Sequence, residues 1–225
     1  ELQAAFYELL VNRYREEFTI SSKRDLLDFR VETKARLALT RIMRLSVDPY
    51  YLVNELKDNS DQVAKYINSP KNNIIIQNLV NEGTQHNMVS YKMQRAVEIA
   101  TEIISQNKKV IIWAQFSNSI MKLEDELKQF NAVTLYGNTD NPEQSVSLFN
   151  DKHSDVDVLI GNPKKGGEGI SLHHNCHNAI YLDRTYNAAE YLQSRDRIHR
   201  IGMPSDVIPN YYLIHSVHPN SSKKT

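Results

Sequence analysis

The residues best suited to chemistry lie near the end of the chain, in the stretch QSRDRIHRIG. A helix over residues 188–201 would place Gln193, Arg197 and Arg200 at i, i+4 and i+7, on one face. Two guanidiniums one turn apart form a fork of donors that suits a triphosphate. Arg195 points away from this row, towards solvent or a nucleic acid. The spacing therefore predicts a phosphate-binding face.

A second interpretation of the same stretch is an exposed basic helix. Its arginines would then pair with Asp196 and Glu190, in contacts that are worth little at a surface. In both interpretations Tyr191, Ile198 and Ile201 form the neighbouring face and pack on a sheet. Helical spacing does not choose between the two.

Two other stretches resemble sites for different chemistry. GNPKKGG, residues 161–167, has the glycine separation of a P-loop, but Gly167 and Glu168 stand where that motif needs Lys and Ser or Thr. HHNCH contains metal-ligand types, but no second Cys/His pair lies at a suitable spacing, so we expect no metal site. We expect Cys176 to be a packing residue, and the chain to lack a complete nucleoside triphosphatase site of its own.

The elements that must position these residues follow two patterns. Residues 1–106 have apolar side chains at helical spacing, which predicts several helices. From Lys108 onward, short apolar runs such as KVIIWA alternate with amphipathic segments, as in crossover units on a parallel sheet. The sequence therefore predicts a helical region over 1–88 and a three-layer α/β domain with a mainly parallel sheet over 89–225.

Four polar or glycine-rich loops follow the predicted strands. They are QFSNS (115–119), GNTD (137–140), GNPKKGGEG (161–169) and DRTYN (183–187). The carboxyl ends of parallel strands share one edge of a sheet, and backbone amides and short hydroxyls there suit phosphate groups. One such loop alone is ordinary turn chemistry. Four on one edge favour a binding site.

Composition limits the setting in which the protein works. The 225 residues include 27 Lys plus Arg and 27 Asp plus Glu, so no overall charge indicates a nucleic-acid or membrane partner. The single cysteine excludes an internal disulfide. There is no signal-like segment and no apolar run near the roughly 20 residues of a membrane helix. We expect a cytoplasmic or nuclear protein without a membrane partner.

The run GGEGISLHHNCHNAIYLDRTYNAAEYLQSRDRIHRIG resembles the second RecA-like lobe of the Swi/Snf family of DNA-translocating ATPases. That lobe has the pattern GGxGxNL, a strand, WNP, Q and DRxHRxGQ. KVIIWAQFSNSIMKLEDEL and VTLYGNTD are similar to the first two motifs of the lobe. ALTRIMRLSVDPYYL resembles the segment that leads into it from the first lobe. The resemblance implies a RecA-like fold preceded by the family's helical linker and insertion.

The resemblance also implies roles for individual residues. Those implied at the ATP site are the catalytic Arg197 and Arg200 and the nucleotide-binding Gln193, Gly167, Glu168 and Gly169. Those implied to hold phosphates of the DNA backbone are Ser117, Asn118, Gly137, Asn138, Thr139 and Ser171. Such contacts do not read bases, so binding to duplex DNA would be independent of sequence and sensitive to salt. ATP and magnesium would be held mainly by the first lobe.

Several positions depart from the family pattern and indicate a divergent branch, prokaryotic or viral. They are Gln144, Ser171, Tyr186, Ala188 and Met203. The expected function is the second motor lobe of an ATP-dependent DNA translocase, inactive without the N-terminal RecA-like lobe and acting on a protein cargo. Two alternatives stay open: the lobe of an RNA helicase or restriction-type translocase, and a catalytically silent docking module.

Overall fold

The computed structural model describes residues 1–21, 29–58, 62–164, 170–200, 202–203 and 207–217. The chain forms two compact units. One contains Glu1–Ser90 together with the described residues 216 and 217, and the other is Tyr91–His215. The division at Ser90 lies two residues beyond the predicted boundary. Ser216 is grouped with the helices, where its hydroxyl donates to the carbonyl of Ser46 at 3.0 Å.

The first unit is helical and has its own core. Its helices are α1 (Leu2–Ser21), α2 (Phe29–Val47), α3 (Pro49–Asp58), α4 (Gln62–Ile67) and α5 (Asn73–Gln85). Apolar side chains from all five meet in one buried cluster that includes Phe6, Leu45, Leu56, Ile67 and Leu79. Helical spacing of apolar residues therefore predicts this region correctly.

Local chemistry sets the start of α3. The carboxylate of Asp48 accepts the backbone N–H of Tyr51 at 3.0 Å, and Pro49 occupies the first helical position, where it has no N–H to lose. Close packing requires a glycine in the last turn of α5. A Cβ on Gly83 would come within 2.8 Å of both the Met88 sulfur and the Tyr50 ring.

The second unit is built on a parallel sheet. Its helices are α6 (Tyr91–Ser105), α7 (Ser117–Glu126), α8 (Pro142–Asn150) and α9 (Ala188–Arg195). Its strands are β1 (Lys109–Trp113), β2 (Val133–Leu135), β3 (Val158–Gly161), β4 (Cys176–Tyr181) and β5 (Asn210–Leu213). The described strands pair in the order β2-β3-β1-β4-β5, and every pairing is parallel.

Side chains alternate across β1 and divide the unit into three layers. Ile111 and Trp113 join Phe149 of α8 in one buried cluster, and the partly buried Tyr191 of α9 packs against it. Val110 and the other alternate positions face the opposite side, where α6 and α7 pack on the sheet. The predicted three-layer α/β domain with a parallel sheet is confirmed.

The connections place the loops of interest at one edge. From β1 the chain crosses β3 to reach β2 through α7, and it returns to β3 through α8, whereas β4 leads to β5 on the other side. The order therefore reverses between β1 and β4, and ligands of open α/β sheets bind outside the strand ends at such a point. Among the described residues, no helix is long and apolar enough to cross a membrane.

Candidate functional site

The loop after β1 is held in place from both sides. The N–H of Gln115 donates to the Asp183 carboxylate at 2.8 Å, and the Asn162 side chain donates to the carbonyl of Gln115 at 2.8 Å. Asn162 follows β3 and Asp183 follows β4, so three loops are joined at the carboxyl edge. Sequence reasoning assigned no role to either residue, although both stand directly after predicted strands.

Asp183 is a buried carboxyl group at the point where the strand order reverses. Its side chain is 7% exposed, and its Oδ2 atom has no hydrogen-bond partner among the described residues. Burial raises the pKa of Asp183 to about 6, although the Gln115 N–H and the charge of Lys92 act in the opposite direction. Burial also lowers the pKa of Lys92. The two groups therefore interact electrostatically in a poorly solvated environment.

The residues predicted to hold DNA phosphates after β1 lie at the start of α7. Ser117 and Asn118 are its first two residues, and the preceding Phe116 provides no side-chain cap. The first N–H groups of a helix have no partner within it, and its N-terminus carries partial positive charge. The described geometry therefore presents Ser117 and Asn118 where a helix can accept an anion.

The loop after β2 forms a closed turn with an exposed tip. The Thr139 hydroxyl accepts the N–H of Tyr136 at 2.9 Å, and the Thr139 N–H donates to the Tyr136 carbonyl at 3.2 Å. Gly137 and Asn138 are exposed at the tip. Thr139 thus shapes the loop through its side chain, and Gly137 and Asn138 are the residues that it presents.

The predicted helix over 188–201 is wrong beyond Arg195, where α9 ends. The following residues form turns, and the N–H of Leu172 donates to the carbonyl of Arg197 at 2.9 Å. Ile198 is fully buried in the core, as predicted. The helical propensity of the stretch is therefore not realised beyond Arg195, and the Arg197 carbonyl takes part in a long-range contact with Leu172.

Arg197 and Arg200 nevertheless meet at one segment of the chain. Arg197 is 9% exposed, and its guanidinium donates to the carbonyl of Ile170 at 3.1 Å. The Arg200 guanidinium donates to the hydroxyl of Ser171 and, through Nε, to the carbonyl of Asp196 at 3.2 Å. The two arginines are thus brought together by tertiary contacts and not by a shared helical face.

The other residues with a predicted role in binding lie in different places. Gln193 lies on the exposed side of α9. The predicted Gly167, Glu168 and Gly169 lie outside the described residues. Ser171, which was predicted to contact nucleic acid, has its hydroxyl on Arg200.

Arg195 does not point into solvent as the helical projection predicted. Its guanidinium lies over the ring of Tyr211 at 4.9 Å and near that of Tyr191 at 5.8 Å. The neighbouring Ser194 hydroxyl bonds the Tyr181 hydroxyl at 2.8 Å. Arg195 is therefore part of the packing between α9 and the sheet, stabilised by cation–π contacts.

The alternative of a salt-bridged basic helix receives little support from Glu190. Its carboxylate accepts hydrogen bonds from Thr185 and Asn187, both at 3.0 Å, and lies 3.5 Å from the ammonium of Lys164. These contacts join the loops after β3 and β4 to the first turn of α9. Glu190 thus stabilises the N-terminus of α9, and its described partners do not include the arginines of the stretch.

The charge of Arg200 is not balanced by a carboxylate in the described parts of the chain. His173 lies nearby and is 6% exposed. Its pKa is lowered, first by burial and then by the charges of His174 and Arg200. Burial and the charge of Arg200 thus both favour the neutral imidazole of His173.

The histidine-rich stretch HHNCH does not assemble a metal site in the described ranges, where no group of three or more suitable ligands occurs. Cys176 is fully buried, and burial raises the pKa of its thiol to about 12. The prediction that Cys176 is a packing residue is confirmed, since a protonated buried thiol is a poor nucleophile.

Comparisons with known proteins agree with this architecture. Residues 91–202 match the helicase conserved C-terminal domain. The ATP-dependent helicase brm of Drosophila melanogaster is 31% identical over 123 residues, which are 53% of this chain and 7% of that protein. The chain spans about a tenth of the length of the curated relatives it matches.

Two solved structures share the fold. The C-terminal part of the Fun30 ATPase domain aligns over 95% of this chain and 80% of its own, with a TM-score of 0.58 and 18% identity. The SWI2/SNF2 ATPase C-terminal domain of Sulfolobus solfataricus aligns over 94% and 73%, with a TM-score of 0.58 and 20% identity. Residues 91–202 are therefore similar to a helicase conserved C-terminal domain, and the chain has the fold of the C-terminal RecA-like lobe of Swi/Snf-type ATPases.

Proposed function

We propose that this lobe is the second motor lobe of an ATP-dependent translocase on double-stranded DNA. In the full-length protein, ATP and magnesium bind mainly to the N-terminal RecA-like lobe, and this lobe completes the site from the other side. Arg200 and Arg197 bind the γ-phosphate, where charge develops during transfer. Gln193 and the loop containing Gly167, Glu168 and Gly169 complete the nucleotide side of the lobe.

The observation that supports this role most strongly is the state of Arg200. Its guanidinium is oriented by a hydroxyl and a carbonyl, yet no described carboxylate neutralises it. Neutral acceptors hold an arginine without cancelling the charge that a phosphate needs.

The nucleic-acid side of the proposal rests on the carboxyl edge of the sheet. Ser117 and Asn118 at the start of α7, with Gly137 and Asn138 at the tip of the next loop, contact the phosphates of one DNA strand. Thr139 holds the second loop in shape. These groups contact phosphates and not bases, so the motor moves along DNA of any sequence and can displace a bound protein cargo.

Substitution of Arg200 in the full-length protein tests the proposal. We expect Arg200→Ala to lower the DNA-stimulated rate of ATP hydrolysis by about 10³ or more, with ATP affinity nearly unchanged. Steady-state turnover and equilibrium binding of a fluorescent ATP analogue measure the two effects. Arg95→Ala, an exposed arginine of α6 paired with Glu98, is the matched control.

Normal turnover in Arg200→Ala would overturn the assignment of a motor lobe. Comparing duplex DNA with duplex RNA as the stimulating polymer separates the DNA translocase from the RNA helicase. A full-length protein that hydrolyses no ATP with either polymer is the docking module.

A further inference from the structure

The last residue of α8 reaches across to the segment that holds the arginines. The side-chain amide of Asn150 donates to the carbonyl of Ser171 at 2.9 Å. The side chain of Asn175 in turn donates to the carbonyl of Asn150. The backbone at Ser171 is therefore fixed to the end of a helix that packs on the sheet, and not to a loop.

Ser171, whose backbone is held in this way, contacts Arg200 through its side chain. Its hydroxyl accepts from the Arg200 guanidinium, and the Arg200 Nε atom is held by the carbonyl of Asp196. One residue further on, the N–H of Leu172 donates to the carbonyl of Arg197. Side chain and backbone of the arginine segment are thus both tied to residues 171–172.

These contacts orient the arginine without neutralising it. An arginine side chain has many rotamers, and a flexible guanidinium must be ordered before it can bind a phosphate in a defined geometry. Hydrogen bonds to neutral oxygens restrict the rotamers in advance and leave the positive charge in place. A hydroxyl is also a weaker acceptor than a carboxylate, so it does not compete strongly with a phosphate.

We propose that Asn150 and Ser171 are positioning residues for Arg200, with Asn150 acting through the Ser171 carbonyl. The inference rests on the proposed function, because only that function provides a phosphate group for Arg200 to bind. It assigns Ser171 to the arginine site in place of the predicted contact with nucleic acid. Neither residue touches the reacting atoms, so their loss slows turnover without removing the chemistry.

The test uses the full-length protein and separates kcat from KM. We expect Asn150→Ala and Ser171→Ala each to lower DNA-stimulated kcat by about tenfold or more, with the KM for ATP changed less than about twofold, as for residues that orient a catalytic group. Ser171→Thr keeps the hydroxyl, so we expect its kcat to stay within about threefold of the natural protein. A purely structural role would not distinguish Ala from Thr in this way.

Asn68→Ala provides the matched control. Its side-chain amide donates to the carbonyl of Leu56 at 3.1 Å, within the helical unit. This is the same kind of hydrogen bond as that of Asn150, but it lies far in sequence from Arg197 and Arg200. We expect this variant to keep its kcat. Melting temperatures of all variants report any loss of folding. If Asn150→Ala does not fold, the positioning role is tested with Ser171→Ala, which removes only one oxygen atom.

The outcomes separate this inference from the proposed function. If Arg200→Ala turns over normally, the proposed function is overturned. If Arg200→Ala is slow but folded Ser171→Ala turns over at the natural rate, the positioning role is overturned while the motor lobe stands. If Ser171→Thr is as slow as Ser171→Ala, the hydroxyl is not the group that orients Arg200, and the inference is likewise overturned.

Discussion

In the helical unit, Arg41 and Arg44 both contact the carboxylate of Glu55, and Arg41 is only 2% exposed. In the α/β unit, Arg197 and Arg200 donate to a backbone carbonyl and a hydroxyl. Arg41 and Arg44 therefore have a carboxylate partner, whereas the described acceptors of Arg200 are neutral oxygens.

The difference indicates what each set of arginines does. Removing one partner of a buried ion pair leaves an uncompensated charge. The ion pairs of Arg41 and Arg44 with Glu55 therefore have a structural role, which is to stabilise the fold. A neutral acceptor leaves the guanidinium able to bind an anion, as we propose for Arg200. The carboxylates of the two units also differ: Glu55 contacts two arginines, whereas the buried Asp183 interacts with the charge of Lys92, whose own pKa is lowered by burial.

The largest expected effect on stability comes from Glu55→Gln. The neutral amide leaves Arg41 buried without this carboxylate, so we expect the free energy of unfolding of the helical unit to fall by about 3 kcal/mol. Urea denaturation followed by far-ultraviolet circular dichroism measures the change. An unchanged urea midpoint would mean that the ion pairs with Glu55 do not stabilise the fold. The contrast drawn between the arginines of the two units would then be wrong.

The next effect is a dependence of stability on pH, removed by Asp183→Asn. The folded pKa of Asp183, about 6, is above the value near 3.9 of an unfolded aspartate, so its contribution to stability is full below about pH 4 and is lost as pH rises through 6. Asn keeps an acceptor for the Gln115 N–H but does not titrate. We expect the variant to gain about 2 kcal/mol relative to the natural protein between about pH 4 and about pH 7.

Urea denaturation at several pH values checks this difference. Asp125→Asn is the control, since its carboxylate is exposed and pairs with the exposed Lys128. A difference between Asp183→Asn and the natural protein that stays constant with pH would show that Asp183 is not held in a poorly solvated environment.

The smallest effect is expected for Glu32→Gln on α2. Glu32 and Arg36 form an ion pair one turn apart, but their side chains are 59% and 78% exposed. Solvent screens such a pair, so we expect the free energy of unfolding to change by less than about 0.5 kcal/mol. Urea denaturation beside Glu55→Gln measures it. A loss as large as that of Glu55→Gln would mean that burial is not what separates the two pairs.

The sequence predicts the layers of this protein because each layer depends on local patterns. Apolar residues every three or four positions mark the first helices, and Val110 to Trp113 are apolar at every position because β1 is covered on both faces. The positions of Ser117 and Asn118 soon after β1, and of Gly137 in the loop after β2, follow from the same pattern. The motif around Arg197 and Arg200 also lies within one continuous stretch, so its family resemblance is visible without coordinates.

Tertiary structure alone decides where α9 ends and what its arginines touch. Helical projection groups Arg197 with Arg200 and excludes Arg195. In the structure α9 ends at Arg195, the Arg197 carbonyl accepts from the distant Leu172, and the rings of Tyr191 and Tyr211 contact Arg195. The partners that matter most, Ser171 for Arg200 and Gln115 for Asp183, are 29 and 68 residues away in sequence. Periodicity describes neighbours within a few residues, whereas hydrogen bonds and burial across the sheet depend on how distant segments meet.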